Sequence, residues 1–137
     1  PTVISQILSG KEELKLGNIA PTRDLTFVKD TAKGFLEIYK SEKLLGGITN
    51  IGMNEEISIG DLVKKISILL NTDIKILTDE QRVRPENSEV ERLFCDNSKL
   101  IDNSNWQPDY SLETGLIETI NWLKENNHLY KSNIYNV

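Results

Sequence analysis

The sequence holds one cysteine and one histidine in 137 residues, and no excess of positive charge. Each scarcity closes off a class of function. A lone cysteine, Cys95, cannot build an internal disulfide framework and fits a reducing compartment. The lone histidine, His128, lies in a polar terminal segment with no carboxylate partner or metal-ligand spacing, so it reads as a surface residue. Without a Cys/His cluster there is no zinc site to expect, and no metal-ligating residue is assigned. A formal net charge of -5 argues against a nucleic-acid or anionic-membrane surface, since such partners are drawn by basic fields. Any phosphate recognition must therefore be local. No apolar run approaches the length of a membrane-spanning helix and no signal peptide opens the chain, so a soluble, cytoplasmic protein is expected. The glycines at 46, 47, 52 and 60 form neither a dinucleotide fingerprint nor a P-loop.

What is present is an ordinary globular composition, 38% hydrophobic and 27% charged, enough for one domain with a real core. The first residue is Pro1 rather than methionine, which leads to the expectation of a processed product or an excised piece. No internal repeat or low-complexity linker divides the chain.

Periodicity predicts a mixed succession of helices and short strands. Val3, Ile4, Ile7 and Leu8 follow helical spacing up to a cap at Gly10. Lys15 to Gly17 is a short strand, and Arg23 to Val28 alternates as a second one. Asp30 or Thr31 then caps a helix whose Val28, Ala32, Phe35, Leu36 and Tyr39 share an apolar face. After the break at Gly46-Gly47, Ile48 to Gly52 reads as a buried strand. Ser58 and Asp61 make a capping box for a helix to Leu70, with Ile59, Leu62, Val63, Ile66, Leu69 and Leu70 on its core stripe. Asp73 to Thr78 and Leu93 to Cys95 are further strands, and Asn97 to Ile101 makes one or two helical turns. Ser111 caps a last helix with Leu112, Leu116, Ile120 and Leu123 inward, flanked by Ile117 and Trp122. Asn126 to Val137 reads as a loosely held tail.

Between these elements lies the most charged stretch, Glu80 to Asp96, with three arginines and four glutamates in seventeen positions. Pro85 restricts Arg84 to extended conformations and so places it on a loop. A guanidinium held there can fork onto a phosphate, and a nearby carboxylate can accept from ribose hydroxyls. The plain alternative is mutual pairing, with Arg23 on Asp24 or Asp30, and Arg82 and Arg92 on the glutamates. Tyr39 and Lys43 have a Tyr-x-x-x-Lys spacing. Tyr39 belongs to an apolar helix face and Lys43 falls where that helix runs out, so the spacing is read as coincidental.

In order along the chain stand Arg23-Asp24-Leu25-Thr26-Phe27-Val28-Lys29-Asp30, Asn50-Ile51-Gly52, Arg84-Pro85 with Ser88-Glu89-Val90, Asp96-Asn97-Ser98-Lys99-Leu100, Trp106-Gln107-Pro108 and Leu112-Glu113-Thr114-Gly115-Leu116 with Trp122. This series resembles the C-terminal, substrate-binding part of the extended short-chain dehydrogenase/reductase family, the NAD-dependent nucleotide-sugar epimerases and dehydratases. The Arg-Pro-x-x-Ser-Glu-Val-x-Arg-Leu form is most similar to UDP-N-acetylglucosamine 4,6-dehydratases, with GDP-mannose 4,6-dehydratases as near relatives.

The resemblance implies an α/β fold: a small mixed domain over residues 1–126, a tail over 127–137, and a Rossmann half lying outside this chain. It implies that Arg23 and Arg84 hold the nucleotide diphosphate and that Glu89 binds the ribose, although Leu25 stands where the family has an aromatic. Asn50, Asp96, Trp106, Pro108, Leu116 and Trp122 are implied to determine the fold. NAD and the catalytic residues would belong to the other half, so no catalytic or cofactor-binding residue is expected here and the chain alone would be inactive. In the whole enzyme, a homodimer, hydride would pass from sugar C4 to NAD, water would leave across C5 and C6, and hydride would return at C6. A 4-epimerase is the rival within the family. A free-standing nucleotide- or protein-binding module without catalysis is the rival from another class.

Overall fold

The computed structural model describes residues 1–79 and 90–130. Helix α1 (Thr2–Leu8) ends in a Schellman arrangement: Gly10, at φ +82°, and Lys11 donate to the carbonyls of Ile7 and Gln6. Strand β1 (Glu13–Leu16) follows, then β2 (Thr22–Arg23), α2 (Val28–Lys40), β3 (Ile57–Ser58), α3 (Ile59–Leu69) and β4 (Lys75–Thr78). Strand β5 (Arg92–Leu93), α4 (Ser98–Asn103), α5 (Leu112–Glu125) and a 3-10 turn (Asn127–Leu129) complete the described chain. This is the α/β mixture that the sequence predicts.

Two small sheets result. Strands β1 and β4 pair in parallel, Glu13 opposite Lys75. Strand β2 lies between β3, antiparallel with Thr22 opposite Ser58, and β5, parallel with Thr22 opposite Arg92 and Arg23 opposite Leu93. The main core collects Ile4 and Ile7 of α1, Leu14 of β1, Val63 and Ile66 of α3, and Ile120 and Leu123 of α5. A second cluster of Leu44, Leu100 and Trp106 is covered by Ile38 and Ile51.

Both predicted capping serines act as caps. Ser58 Oγ accepts from the Asp61 amide at 3.0 Å, and Ser111 Oγ accepts from the Thr114 amide at 3.2 Å. Helix α3 ends as α1 does, with Asn71 in the left-handed region at φ +51°.

Five expectations are corrected. The strand from Arg23 to Val28 stops at Arg23, because its partners β3 and β5 offer only two residues each. The pairing expected at Leu93 to Cys95 falls at Arg92–Leu93 for the same reason. Phe27, not Asp30 or Thr31, is the N-cap of α2; its backbone is extended at φ −68° and ψ 141° and its carbonyl accepts from Thr31. Asp30 is instead buried in the helix, where its carboxylate accepts from the amides of Asp109 (2.9 Å) and Tyr110 (3.2 Å). Its carbonyl accepts from the buried Trp106 Nε1 at 3.0 Å.

That clamp fixes which side of α2 faces inward, so the predicted core stripe points out: Val28, Phe35, Leu36 and Tyr39 are 70%, 66%, 60% and 79% exposed. Finally, Ile48 to Gly52 joins neither sheet, and Ile48 is 88% exposed. A strand is made by its partner, and none of the described residues pairs with this run.

Candidate functional site

The segment that carries Arg23 is held at the meeting point of three stretches of chain. Strand β2 runs between β3 and β5, and Thr22 N donates to Glu91 O at 2.8 Å. Two residues on, the Asp24 amide donates to Leu93 O at 2.9 Å. The Asp24 carboxylate then accepts from the Met53 amide at 2.9 Å and from the Cys95 amide at 3.4 Å. Asp24 thus ties the end of β2 to the turn at Met53 and to the chain leaving β5. Its neighbourhood is tight: a side chain added at Gly52 would collide with Cys95. The Gly52 carbonyl accepts from the buried Asn97 Nδ2 at 2.8 Å.

Arg23 is half-buried in this frame, and its Nη1 donates to the Thr22 carbonyl at 2.7 Å. It lines a small recess of about 40 Å³ with Leu25, Met53, Ile57, Leu112 and the carboxylate-bearing Glu55 and Glu56. That volume has room for little more than a water molecule, so the recess by itself does not enclose a ligand. A larger groove of about 780 Å³, lined by Ile7, Gly10, Thr72 and Ile74 among others, shares no residue with it.

Residues Thr22 and Arg92, paired across β2 and β5, meet Glu56. Arg92 Nε donates to both Glu56 oxygens at 2.9 Å, its Nη2 lies 2.8 Å from Oε1, and Thr22 Oγ1 donates to Oε2 at 2.7 Å. The Arg92 bond, and then the Thr22 bond, hold the Glu56 carboxyl below the usual glutamate range. The Arg92 guanidinium also lies 4.7 Å from the centre of the Phe94 ring. Arg92 therefore pairs with a glutamate, as the plain reading has it, but with one from the segment before β3.

Asp24 accepts from two backbone amides and Asp30 from those of Asp109 and Tyr110. Arg84 and Glu89, like Arg82, lie outside the described residues. The described chain resumes at Val90 and Glu91, beside Thr22.

Other candidates fall away from this place. Burial, with Asp24 and Asp96 nearby, pushes the Cys95 thiol up, which keeps it protonated rather than nucleophilic. Tyr39 stands exposed on α2 while Lys43 lies in the turn beyond the helix end. His128 is exposed in the 3-10 turn. Among the described residues no cluster of histidine, cysteine and carboxylates has the arrangement of a metal site, and no helix is long and apolar enough to cross a membrane. The residues that sequence reasoning missed are Asp24 and Asp30 as anchors. Their partners lie far along the chain, and only a buried carboxylate's need for donors hints at them.

The family model of GDP-mannose 4,6 dehydratase matches residues 1–119. A UDP-N-acetyl-alpha-D-glucosaminuronate decarboxylase of Bacillus cytotoxicus is 32% identical over 127 residues, covering 91% of this chain and 39% of the relative. The solved dTDP-glucose 4,6-dehydratase of Bacillus anthracis in complex with NAD superposes with a TM-score of 0.77 at 27% identity, covering 95% of this chain and 40% of that one. The UDP-glucuronic acid 4-epimerase of Bacillus cereus, in complex with UDP-glucuronic acid and NAD, gives 0.79 at 25% identity, covering 94% and 39%. The chain thus spans well under half the length of the proteins it matches.

Proposed function

The chain belongs to the GDP-mannose 4,6 dehydratase family, and from that premise we propose that it is the nucleotide-sugar-binding part of an NAD-dependent nucleotide-sugar 4,6-dehydratase. Residues 1–126 would form the binding region, working in the cytoplasm within a longer, homodimeric parent. Arg23 and Arg84 neutralise the diphosphate, and Glu89 accepts from the ribose hydroxyls. The observation that carries this is the seating of Arg23: a half-buried cation at the end of β2, donating to the Thr22 carbonyl, with the Asp24 ties to Met53 and Cys95 framing the backbone beside it. A guanidinium held in place before the ligand arrives loses little freedom on binding, and two of them match a pyrophosphate's charge. The contribution to catalysis is positional, since a diphosphate fixed here would set where the hexose lies.

Among the described residues no glycine opens a helix as a dinucleotide cradle does. The glycine best placed for a helix-start phosphate cradle is Gly60, in the first turn of α3, and a side chain there would meet Ile19 at 3.4 Å rather than open space. Gly46 and Gly47 follow a helix instead of opening one. The cofactor is therefore assigned to the rest of the parent, and no step of this chain runs through it.

A 4-epimerase parent is the second reading, favoured by the Bacillus cereus epimerase among the matched structures. Product analysis separates the two: a 4-keto sugar for the dehydratase, an inverted C4 hydroxyl for the epimerase. The binding role is tested in the full-length gene product. A charge-assisted bond to the diphosphate is worth about 1.5 to 3 kcal/mol, so Arg23→Ala and Arg84→Ala should each raise the nucleotide-sugar KM by roughly 10- to 100-fold, with NAD affinity unchanged. Unaltered KM and kcat for either variant would remove that arginine from the site.

A further inference from the structure

The recess that Arg23 lines also carries two carboxylates, Glu55 and Glu56. An anion drawn to Arg23 comes up against both, and like charges a few ångströms apart repel. The two differ in their surroundings. Glu55 stands exposed. Glu56 is forked by Arg92, whose Nε donates to both its oxygens at 2.9 Å while Nη2 lies 2.8 Å from Oε1, and Thr22 Oγ1 closes the set at 2.7 Å.

The strand register delivers Arg92 to that place. Thr22 of β2 lies opposite Arg92 of β5 on one side and Ser58 of β3 on the other, and Glu56 stands just before β3. The three side chains therefore form one row across the small sheet. A slip of β5 by one residue would turn Arg92 to the opposite face. The Phe94 ring, 4.7 Å from the guanidinium carbon, holds the fork from the side. The register does not depend on the row, since β2 and β5 are already joined by the backbone bonds of Thr22 to Glu91 and Asp24 to Leu93. Arg92 is 63% exposed, and ion pairs so open to water add little to stability. What the pair changes is the charge beside Arg23.

We infer that Arg92 is a positioning residue for anion binding: by forking onto Glu56 it cancels that carboxylate, so that a nucleoside diphosphate approaching Arg23 meets one opposing carboxylate, Glu55, instead of two. The inference rests on the reading of Arg23 as a diphosphate ligand. Arg92 acts through Glu56 and has no need to touch the diphosphate itself. The charge count separates this from a purely structural tie. The pair is neutral as it stands; Arg92→Ala leaves it at one negative charge, Glu56→Gln at one positive charge, and the double variant is neutral again. A structural tie is lost in all three.

Titration calorimetry on the full-length gene product, saturated with NAD, tests the order, with whichever of UDP, dTDP and GDP binds tightest as the probe. Arg92→Ala should weaken binding by roughly 3- to 10-fold and Glu56→Gln should tighten it by roughly 2- to 5-fold. The double variant should return to within about 2-fold of the unmodified protein. Arg92→Lys keeps the cation without the fork and should lie nearer the unmodified protein than Arg92→Ala does. The spread among the variants should narrow in about 0.5 M salt, because screening acts on charge and not on shape. Weaker binding in all the variants, with the double variant no better than Arg92→Ala, overturns the inference and leaves Arg92 a part of the frame or a direct ligand. Equal affinities throughout overturn it as well. Should Arg92→Ala not fold, tightening by Glu56→Gln decides alone, and its absence overturns the inference. Arg23→Ala separates the two readings: no effect of that variant removes the diphosphate clamp and this inference with it, whereas weakening by Arg23→Ala beside a series without the expected order removes this inference only.

Discussion

Asp24 joins three segments through two amides that lie 29 and 71 residues away along the chain, those of Met53 and Cys95. Removing its carboxylate leaves both N–H groups in a partly buried setting with nothing to donate to. Each such loss costs about 1 to 3 kcal/mol, so Asp24→Ala should lower the stability of the chain by roughly 2 to 4 kcal/mol in urea or thermal melts. If Arg23 serves a ligand as proposed, Arg23→Ala, one residue earlier, should cost less than about 1 kcal/mol. Equal destabilisation by the two would mean that Arg23 serves the frame rather than a ligand. This pair also marks the limit of reading the site from sequence. Arg23 stood out because a motif surrounds it. The anchoring of Asp24 and Asp30 did not stand out, because their donors are distant backbone amides that no local pattern announces. Arg84 and Glu89, found by the same motif logic, fall outside the described residues and rest on the kinetic test.

Among the elements, the helices were legible, and β1 and β4 to within a couple of residues, whereas the short strands of the second sheet were not, for one physical reason. A helix satisfies its own backbone, so the serines at 58 and 111, the glycine at 10 and the 3.6-residue periodicity suffice to find α1, α3 and α5. A strand is satisfied by a partner, and β2, β3 and β5 are each as short as their partners allow. In α2 periodicity gave the element correctly and its orientation wrongly: Asp30 must face its amide donors, and that polar requirement outweighs the apolar stripe. Two glycines test how tightly these elements sit. Ordinarily Gly→Ala in a helix gains about 1 kcal/mol. At Gly60 the new methyl meets Ile19 at an ordinary 3.4 Å, so Gly60→Ala should stabilise by up to about 1 kcal/mol. At Gly34 it meets Ile51 at 2.8 Å and 2.9 Å, and overpacking of about 1 to 3 kcal/mol outweighs the gain, so Gly34→Ala should destabilise by roughly 1 kcal/mol. Melts of the two variants with the same sign would show that Ile51 moves freely, and that the run beside α2 is not pinned.

At the scale of the whole molecule the question is whether this chain has a finished surface. Its main core is well closed, with Leu14, Val63 and Leu123 at 1% exposure or less. The face carrying Val28, Phe35, Leu36 and Tyr39 has no such cover. If that face belongs to an interface, the isolated chain should bind a hydrophobic dye and gain mass with concentration, because apolar area in water is relieved by any partner, including a copy. Phe35→Ser, Leu36→Ser and Tyr39→Ser together should abolish dye binding and return a monomer, with the melting temperature within a few degrees of the parent chain, since surface changes away from packing contacts usually alter stability by less than about 0.5 kcal/mol. The free-standing binding module, the reading from another class, makes the opposite demand: a module that works alone has to be monodisperse as it stands. Light scattering of the unmodified chain as a clean monomer without dye fluorescence would therefore favour the module.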